Sequence, residues 1–215
     1  MSQANAGRAL PPLYQPNHQP SNRPAPFRIR AARSPDLAEI VSVLLASFYA
    51  QAQATQWLYW LMSIGIQADL KARISTPADQ YICLVAAAVP PTNQSGSAQS
   101  RATRSRAVIG TAEISQRACE TWQLFPPKRA YLSNLAVHPD YRRQGAAQQL
   151  LHASESIAGD WGFRHIYLHV MADNAKAQAL YRQAGYRPCE VSNPILSGLG
   201  IRPQRLLFSK AVRHS

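Results

Sequence analysis

The residues best suited to chemistry are Arg142-Arg143-Gln144-Gly145-Ala146-Ala147, which follow an apolar strand-like run at 130–137 and a His138-Pro139-Asp140-Tyr141 turn, and precede a helical pattern. A strand feeding directly into a glycine-containing helix start leaves several backbone N–H groups unpaired and aimed outward, with the positive end of the helix dipole behind them. Such an arrangement binds anions. Gly145 admits close backbone approach or unusual dihedrals, Ala147 keeps the first turn small, and Arg142 and Arg143 add charge to a pyrophosphate-sized site. The terminal Lys-Ser or Lys-Thr of a P-loop is absent, as is the three-glycine spacing of a dinucleotide fingerprint. His165 and His169 share one face of a strand with no clear Cys or carboxylate partner, so no metal is expected. His138 reads as a turn residue rather than a base. Trp57, Tyr59 and Trp60, at helical spacing, read as core, with the lining of a substrate opening as the alternative.

The elements that must position this segment follow from periodicity. Residues 27–32 alternate apolar and basic like a half-buried strand, and Ser34-Pro35-Asp36 reads as a helix start with Ser34 as N-cap and Pro35 at the first helical position. Leu37, Ile40, Val41, Leu44 and Leu45 then recur at helical spacing. A second helix is expected over about 50–73, broken near Gly65. Residues 81–89 and 107–115 read as buried strands joined by a long loop at 90–106, and 130–137 as a further strand. The helix after Gly145 should run to about 158 and close at Gly159 and Gly162. A strand at 165–170, a helix at 174–184 stopped by Gly185, and a strand pair at 186–191 and 204–211 complete the chain. The order β-α-α-β-β-β-α-β-α-β-β requires a mixed sheet.

Composition narrows the class. A chain of 215 residues, 46% hydrophobic, suits one domain with appendages. Three cysteines, at 83, 119 and 189, fit neither a disulfide framework nor a cysteine-rich zinc site, which points to a reducing compartment. The longest apolar stretch, at 57–66, is half of the roughly 20 residues that a spanning helix needs. No signal sequence is read at the start, and the acid-free beginning lacks the apolar-periodic face of a transit peptide. A soluble, cytoplasmic protein without a membrane partner is expected. The net charge of +12 would ordinarily suggest nucleic acid, but eight of those charges lie in two acid-free stretches, 1–35 and 90–106, rich in Pro, Gln, Asn and Ser. Both read as solvated, flexible chain, and nucleic acid is disfavoured as a partner. The domain is therefore placed at 27–213, after a disordered basic, Pro-rich tail at 1–26, with a flexible insertion at 90–106.

Arg142 to Ala147 resembles the Gln/Arg-x-x-Gly-x-Gly/Ala motif of the GNAT superfamily of N-acetyltransferases, which cradles the pyrophosphate of acetyl-CoA. Residues 131–139 (YLSNLAVHP) resemble the family's fourth strand, and 174–186 (NAKAQALYRQAGY) its Asn-x-x-Ala-x-x-Leu-Tyr-x-x-x-Gly-Tyr/Phe signature. Three motifs in order over about 55 residues make a specific match. The resemblance implies an α/β fold with a mixed sheet of about seven strands flanked by helices, and acetyl-CoA as cosubstrate with no metal. It further implies that Arg143, Gln144, Gly145, Ala146 and Ala147 bind pyrophosphate through backbone amides while Arg142 and Arg143 neutralise it. Leu135, Ala136 and Val137 would bear the pantetheine arm, through the main chains of Leu135 and Val137. Asn174 would contact that arm or hold the end of the fifth strand. Tyr181 would lie near the thioester sulfur as the acid for the departing thiolate. Many members carry a glutamate on the fourth strand where this chain has Ser133 and Asn134, which leaves Glu113 as the candidate base. The expected acceptor is a primary amine on a protein N-terminus or lysine. The alternatives are a small amine, or a non-catalytic acyl-CoA-binding module.

Overall fold

The computed structural model describes residues 27–48, 56–89, 107–118, 127–192 and 204–213, with only the backbone described for 56–64 and 190–192. The expected tail at 1–26, the insertion at 90–106 and the side chains of Trp57, Tyr59 and Trp60 lie outside the described residues. The strands are β1 (Phe27–Ala31), β2 (Tyr81–Ala88), β3 (Val108–Ala118), β4 (Lys128–Val137), β5 (His165–Met171), β6 (Arg187–Ser192) and β7 (Arg205–Ala211). The helices are α1 (Leu37–Phe48), α2 (Gln56–Ile74), α3 (Ala146–Asp160) and α4 (Ala175–Gln183). One seven-stranded sheet runs in the order β1-β2-β3-β4-β5-β7-β6. Only the β4–β5 pair is parallel, so the sheet is mixed as the element order requires.

The two faces of the sheet carry different helices. Leu150, Leu151, Ala153 and Ala158 of α3 and Tyr181 of α4 pack on one face, against Ile114 of β3, Leu132 of β4, Ile166 and Leu168 of β5 and Phe208 of β7. The apolar stripe of α1 (Leu37, Ile40, Val41, Leu44) and Leu70 of α2 cover the other face over Tyr81, Cys83, Val85, Val108 and Ala136. Burying these stripes supplies the main driving force for the layered arrangement. Gly110 on β3 permits the close seating of α3, since a Cβ there would meet the Ala136 carbonyl oxygen at 3.1 Å and Leu150 Cδ1 at 3.3 Å.

Two local expectations are corrected. Helix α1 is preceded by a 3-10 turn, Ser34–Asp36, whose N-cap is Arg33 rather than Ser34. The capping acceptor is the carboxylate of Asp36, which takes the Arg33 N–H at 2.7 Å and the Arg30 guanidinium at 2.6 and 2.8 Å. Helix α2 runs through Gly65 without a break, since one glycine costs a helix only about 1 kcal/mol. Cys83 and Cys189 are free thiols.

Candidate active site

The β4–β5 ladder is short. It pairs Ala130, Tyr131 and Leu132 with Ile166, Tyr167 and Leu168 and then stops, although β4 continues beside β3 as far as Val137. The cause lies in β4 itself. Thr111 faces Ala136 and Glu113 faces Ser133, so β4 carries one residue more than β3 over this interval, and Asn134 adopts a left-handed φ of 50°. A bulge bends its strand, and asparagine is among the few residues that enter this region at low cost. The result is a V-shaped gap whose apex lies at Leu132 and Leu168. The His138 N–H bonds to the Ile109 carbonyl, so strand alternation turns the backbone groups of Leu135 and Val137 away from β3 toward the gap. Their side chains pack against the core on the α3 face. The Val137 carbonyl accepts from Ser47 Oγ at 3.1 Å and from Arg142 Nε at 3.2 Å. Ala136 is buried on the α1 side.

At the wide end of the gap stands the start of α3. Arg143 has φ 64° and Gly145, the N-cap, φ 84°, and no side chain caps the helix. The first backbone bond of the helix runs from the Gln149 N–H to the Gly145 carbonyl, at 3.1 Å. The amides before it point out of the helix with the dipole behind them. Nothing lies within 4 Å of a Cβ built on Gly145, so glycine is needed there for its dihedral angle while the cradle stays open. Arg142, Arg143 and Gln144 are exposed around the turn, Ala146 is buried and Ala147 half-buried. These residues fit a diphosphate, with the Arg142 side chain braced against the end of β4.

Tyr181 of α4 is 8% exposed, with its ring 5.9 Å from Tyr186 and 6.4 Å from Phe208. Burial, with a smaller effect of Tyr131, pushes its pKa up to about 12, which keeps the hydroxyl protonated and able to donate. Asn174 caps α4, its Oδ1 accepting the Ala177 N–H at 3.0 Å, while its own N–H bonds to the Met171 carbonyl at the end of β5.

Glu113 lies at the bulge on the opposite face and is 1% exposed. Its Oε1 accepts from Asn134 Nδ2 at 2.7 Å, and its Oε2 from Arg73 of α2 at 2.9 Å. Arg73 also pairs with Asp69 one turn earlier. Burial opposes the charge of Arg73, but Glu113 and Asp69 outweigh it and raise its pKa. The Tyr81 hydroxyl is buried beside Glu113, and burial together with that carboxylate raises its pKa strongly. Burial likewise pushes the Cys83 thiol up to about 12. Sequence reasoning did not single out Arg73 or Asn134. The available signal was the polar Ser133-Asn134 pair inside an otherwise apolar strand.

His138 caps the 3-10 turn Pro139–Tyr141 and meets the Tyr141 ring edge to face at 5.9 Å, a turn role. On the α1 side of the sheet, Tyr131 Oη lies 2.6 Å from His169 Nδ1. Among the described residues no group of three or more His, Cys, Asp or Glu could hold a metal, and no helix is long and apolar enough to cross a membrane.

Comparison with known proteins agrees with this geometry. The model of the acetyltransferase (GNAT) family matches residues 90–186. The chain is similar to an uncharacterized N-acetyltransferase, YhfO, of Bacillus subtilis, 30% identical over 163 residues that make up 74% of this chain and 89% of the relative. It is also similar to GCN5-related N-acetyltransferase 10, chloroplastic, of Arabidopsis thaliana, 33% identical over 63% of this chain and 51% of the relative. The chain spans about half or less of the length of the chloroplast relatives it matches. Among solved structures, the paia N-acetyltransferase of Thermoplasma acidophilum in complex with coenzyme A has the same fold. Its TM-score is 0.61 at 17% identity, over 86% of this chain and 98% of that one.

Proposed function

Because this chain belongs to the GNAT family of acetyltransferases, we propose that it transfers the acetyl group of acetyl-CoA to a primary amine on a polypeptide, an N-terminus or a lysine. One observation carries the reading: the β4–β5 ladder stops at Leu132 and Leu168, directly below an uncapped helix start at Gly145. A gap edged by outward backbone groups, ending at an anion cradle, suits a long chain with amides along it and a diphosphate at its end. In this reading the amides from Arg143 to Ala147 hold the diphosphate, with Arg142 and Arg143 beside it. Leu135 and Val137 bond the arm, and Ala136 keeps β4 seated on α1.

Acetyl-CoA supplies an acyl carbon already activated as a thioester, so the protein has to position the amine and manage two protons. The amine nitrogen forms a bond to the acyl carbon, the carbon–sulfur bond breaks, and the sulfur leaves with the electron pair. Tyr181 gives the thiolate a proton, which its high pKa keeps available. Glu113 receives the proton from the ammonium through a bridging water. Each of its oxygens spends one acceptor site on Asn134 or Arg73, and an ionised carboxylate offers about four.

The test is thiol release from acetyl-CoA with three acceptor sets: peptides with free N-termini, N-blocked peptides with one lysine, and small amines. Calorimetry with CoA runs alongside. Turnover on either peptide set supports the reading. Turnover on small amines alone would move the acceptor class, and CoA binding without any turnover would make the protein a binding module. No CoA binding would sink the cradle at Gly145.

A further inference from the structure

Helices α1 and α2 cover β2, β3 and the end of β4, and no described helix covers the same face over the first part of β4, β5 and β7. That face carries Arg117 of β3, Arg129 and Tyr131 of β4, His165, Tyr167 and His169 of β5, and Arg205 of β7, all exposed or half-exposed. Arg117 and Arg129 are direct register partners across β3 and β4. Like charges in that position destabilise a sheet. Each guanidinium is instead laid over a tyrosine, Arg117 at 4.1 Å from the Tyr131 ring and Arg129 at 4.8 Å from the Tyr167 ring. Arg117 also touches Ser115 and Ser133 hydroxyls at 3.3 and 3.5 Å. Among the described residues, none of Arg117, Arg129 and Arg205 forms an ion pair with a carboxylate. Among the described residues, three cations thus share this face without a paired carboxylate, two of them laid over rings, and an anionic partner would relieve their repulsion.

The face leads to the reacting end of the site. Ser133, four residues along β4 from Arg129, adjoins the bulge and is the register partner of Glu113. Four residues of extended chain span about 13 Å. We infer that the acceptor amine is carried by an acidic, extended polypeptide segment lying on this face, with carboxylates about three to five residues from the amine held by Arg117, Arg129 and Arg205. This deepens the acetyltransferase reading and rests on it. A polypeptide suits the site better than a nucleic acid, because an N-terminus or lysine offers an aliphatic amine, whereas a base offers an aryl amine whose lone pair is delocalised into the ring. A polyamine is a cation and would be repelled.

The experiment compares two peptides with the same first three residues, one with Asp and Glu at positions four to six and one with Asn and Gln there, at low and high salt. The acidic peptide should show a KM about tenfold lower at low salt, as two or three exposed ion pairs supply, and lose that advantage at high salt. In an Arg117→Gln/Arg129→Gln double variant the ratio of the two KM values should fall toward one, with CoA calorimetry reporting that the fold persists. If the double variant does not fold, the salt series on the wild type decides. Equal KM values at low salt, or a preference that survives high salt, would overturn the inference. So would an RNA oligonucleotide that competes with the acidic peptide more tightly than the peptide binds. Should neither peptide turn over, the acetyltransferase reading fails separately, and fluorescence anisotropy of the same two labelled peptides still tests the face: equal affinities reject it, and tighter salt-sensitive binding of the acidic one upholds it.

Discussion

Tyr181 and Glu113 are both buried, yet they are suited to opposite proton tasks. The Tyr181 hydroxyl is kept protonated by burial, with a pKa near 12, so its acid form persists until the pH rises through that value and adds no falling limb at lower pH. Tyr181→Phe should lower kcat by about 10²-fold while CoA affinity by calorimetry hardly changes. Turnover equal to wild type would remove Tyr181 from the chemistry. In the proposed mechanism Glu113 is the proton acceptor, and its carboxylate also neutralises Arg73 and holds Asn134 in its left-handed turn. Glu113→Gln should therefore do two separable things. Loss of a hydrogen-bonded charge should cost about 2 kcal/mol in a urea titration, and loss of the proton acceptor should lower kcat by about 10²-fold. A stability loss with unchanged kcat would assign Glu113 to structure alone. The glutamate could be picked out from its place on a strand beside the presumed site, but Arg73 could not: the pair is 40 residues apart and joins a helix to the sheet, so no local pattern announces it.

At the scale of elements, the alternation of strand and helix patterns and the motif at the start of α3 were legible because each is local. The place of β7 between β5 and β6 was not, since it depends on long-range pairing, and the splay of β4 from β5 was expected only through the family resemblance, because its cause, one extra residue at Asn134, shows in no local pattern. The start of α1 was misread for a similar reason. Ser34 looks like a cap by type, whereas the working acceptor is Asp36, recruited by Arg30 from the preceding strand. Burial alone would raise the Asp36 pKa, but the Arg30 guanidinium and the Arg33 N–H reverse this and hold it below its ordinary value. A depressed folded-state pKa gives stability that is present above the ordinary carboxylate value and lost as the pH falls through the folded one. Asp36→Asn should thus lower the urea midpoint at neutral pH and flatten its decline below about pH 4. A variant whose acid decline matches wild type would show that this junction does not set the acid limit. At the start of α3, Gly145→Ala forces a Cβ into a φ of 84° and should cost about 1–2 kcal/mol. Because the strained residue heads the cradle, CoA affinity should fall about tenfold or more, the equivalent of about 1.4 kcal/mol. Unchanged affinity would mean that the diphosphate does not rest on this turn.

Over the whole molecule, the cradle and the gap are continuous with the main core. Ala146, Leu150 and Leu151 of α3, Leu132 of β4, Ile166 and Leu168 of β5 and Tyr181 of α4 belong to one buried cluster, and Ser47 of α1 is tied to the Val137 carbonyl at the top of β4. A ligand that bridges the start of α3 and the splayed half of β4 therefore fastens elements that must separate on unfolding, and its binding energy adds to global stability. CoA at 100 times its dissociation constant should add about 2.7 kcal/mol. In a domain of this size each kcal/mol raises Tm by about 2–4 °C, so the expected shift is roughly 5–10 °C in a single transition. At the same fixed CoA concentration the weaker-binding Gly145→Ala protein should shift less, whatever its own starting Tm. A pantetheine fragment without the diphosphate should also shift less, because it occupies the gap and leaves the cradle empty. If the fragment and CoA gave equal shifts, the amides at the head of α3 would have no part in holding the coenzyme. If CoA split the melt into two steps, the α3 face would be a separate folding unit rather than part of the common core.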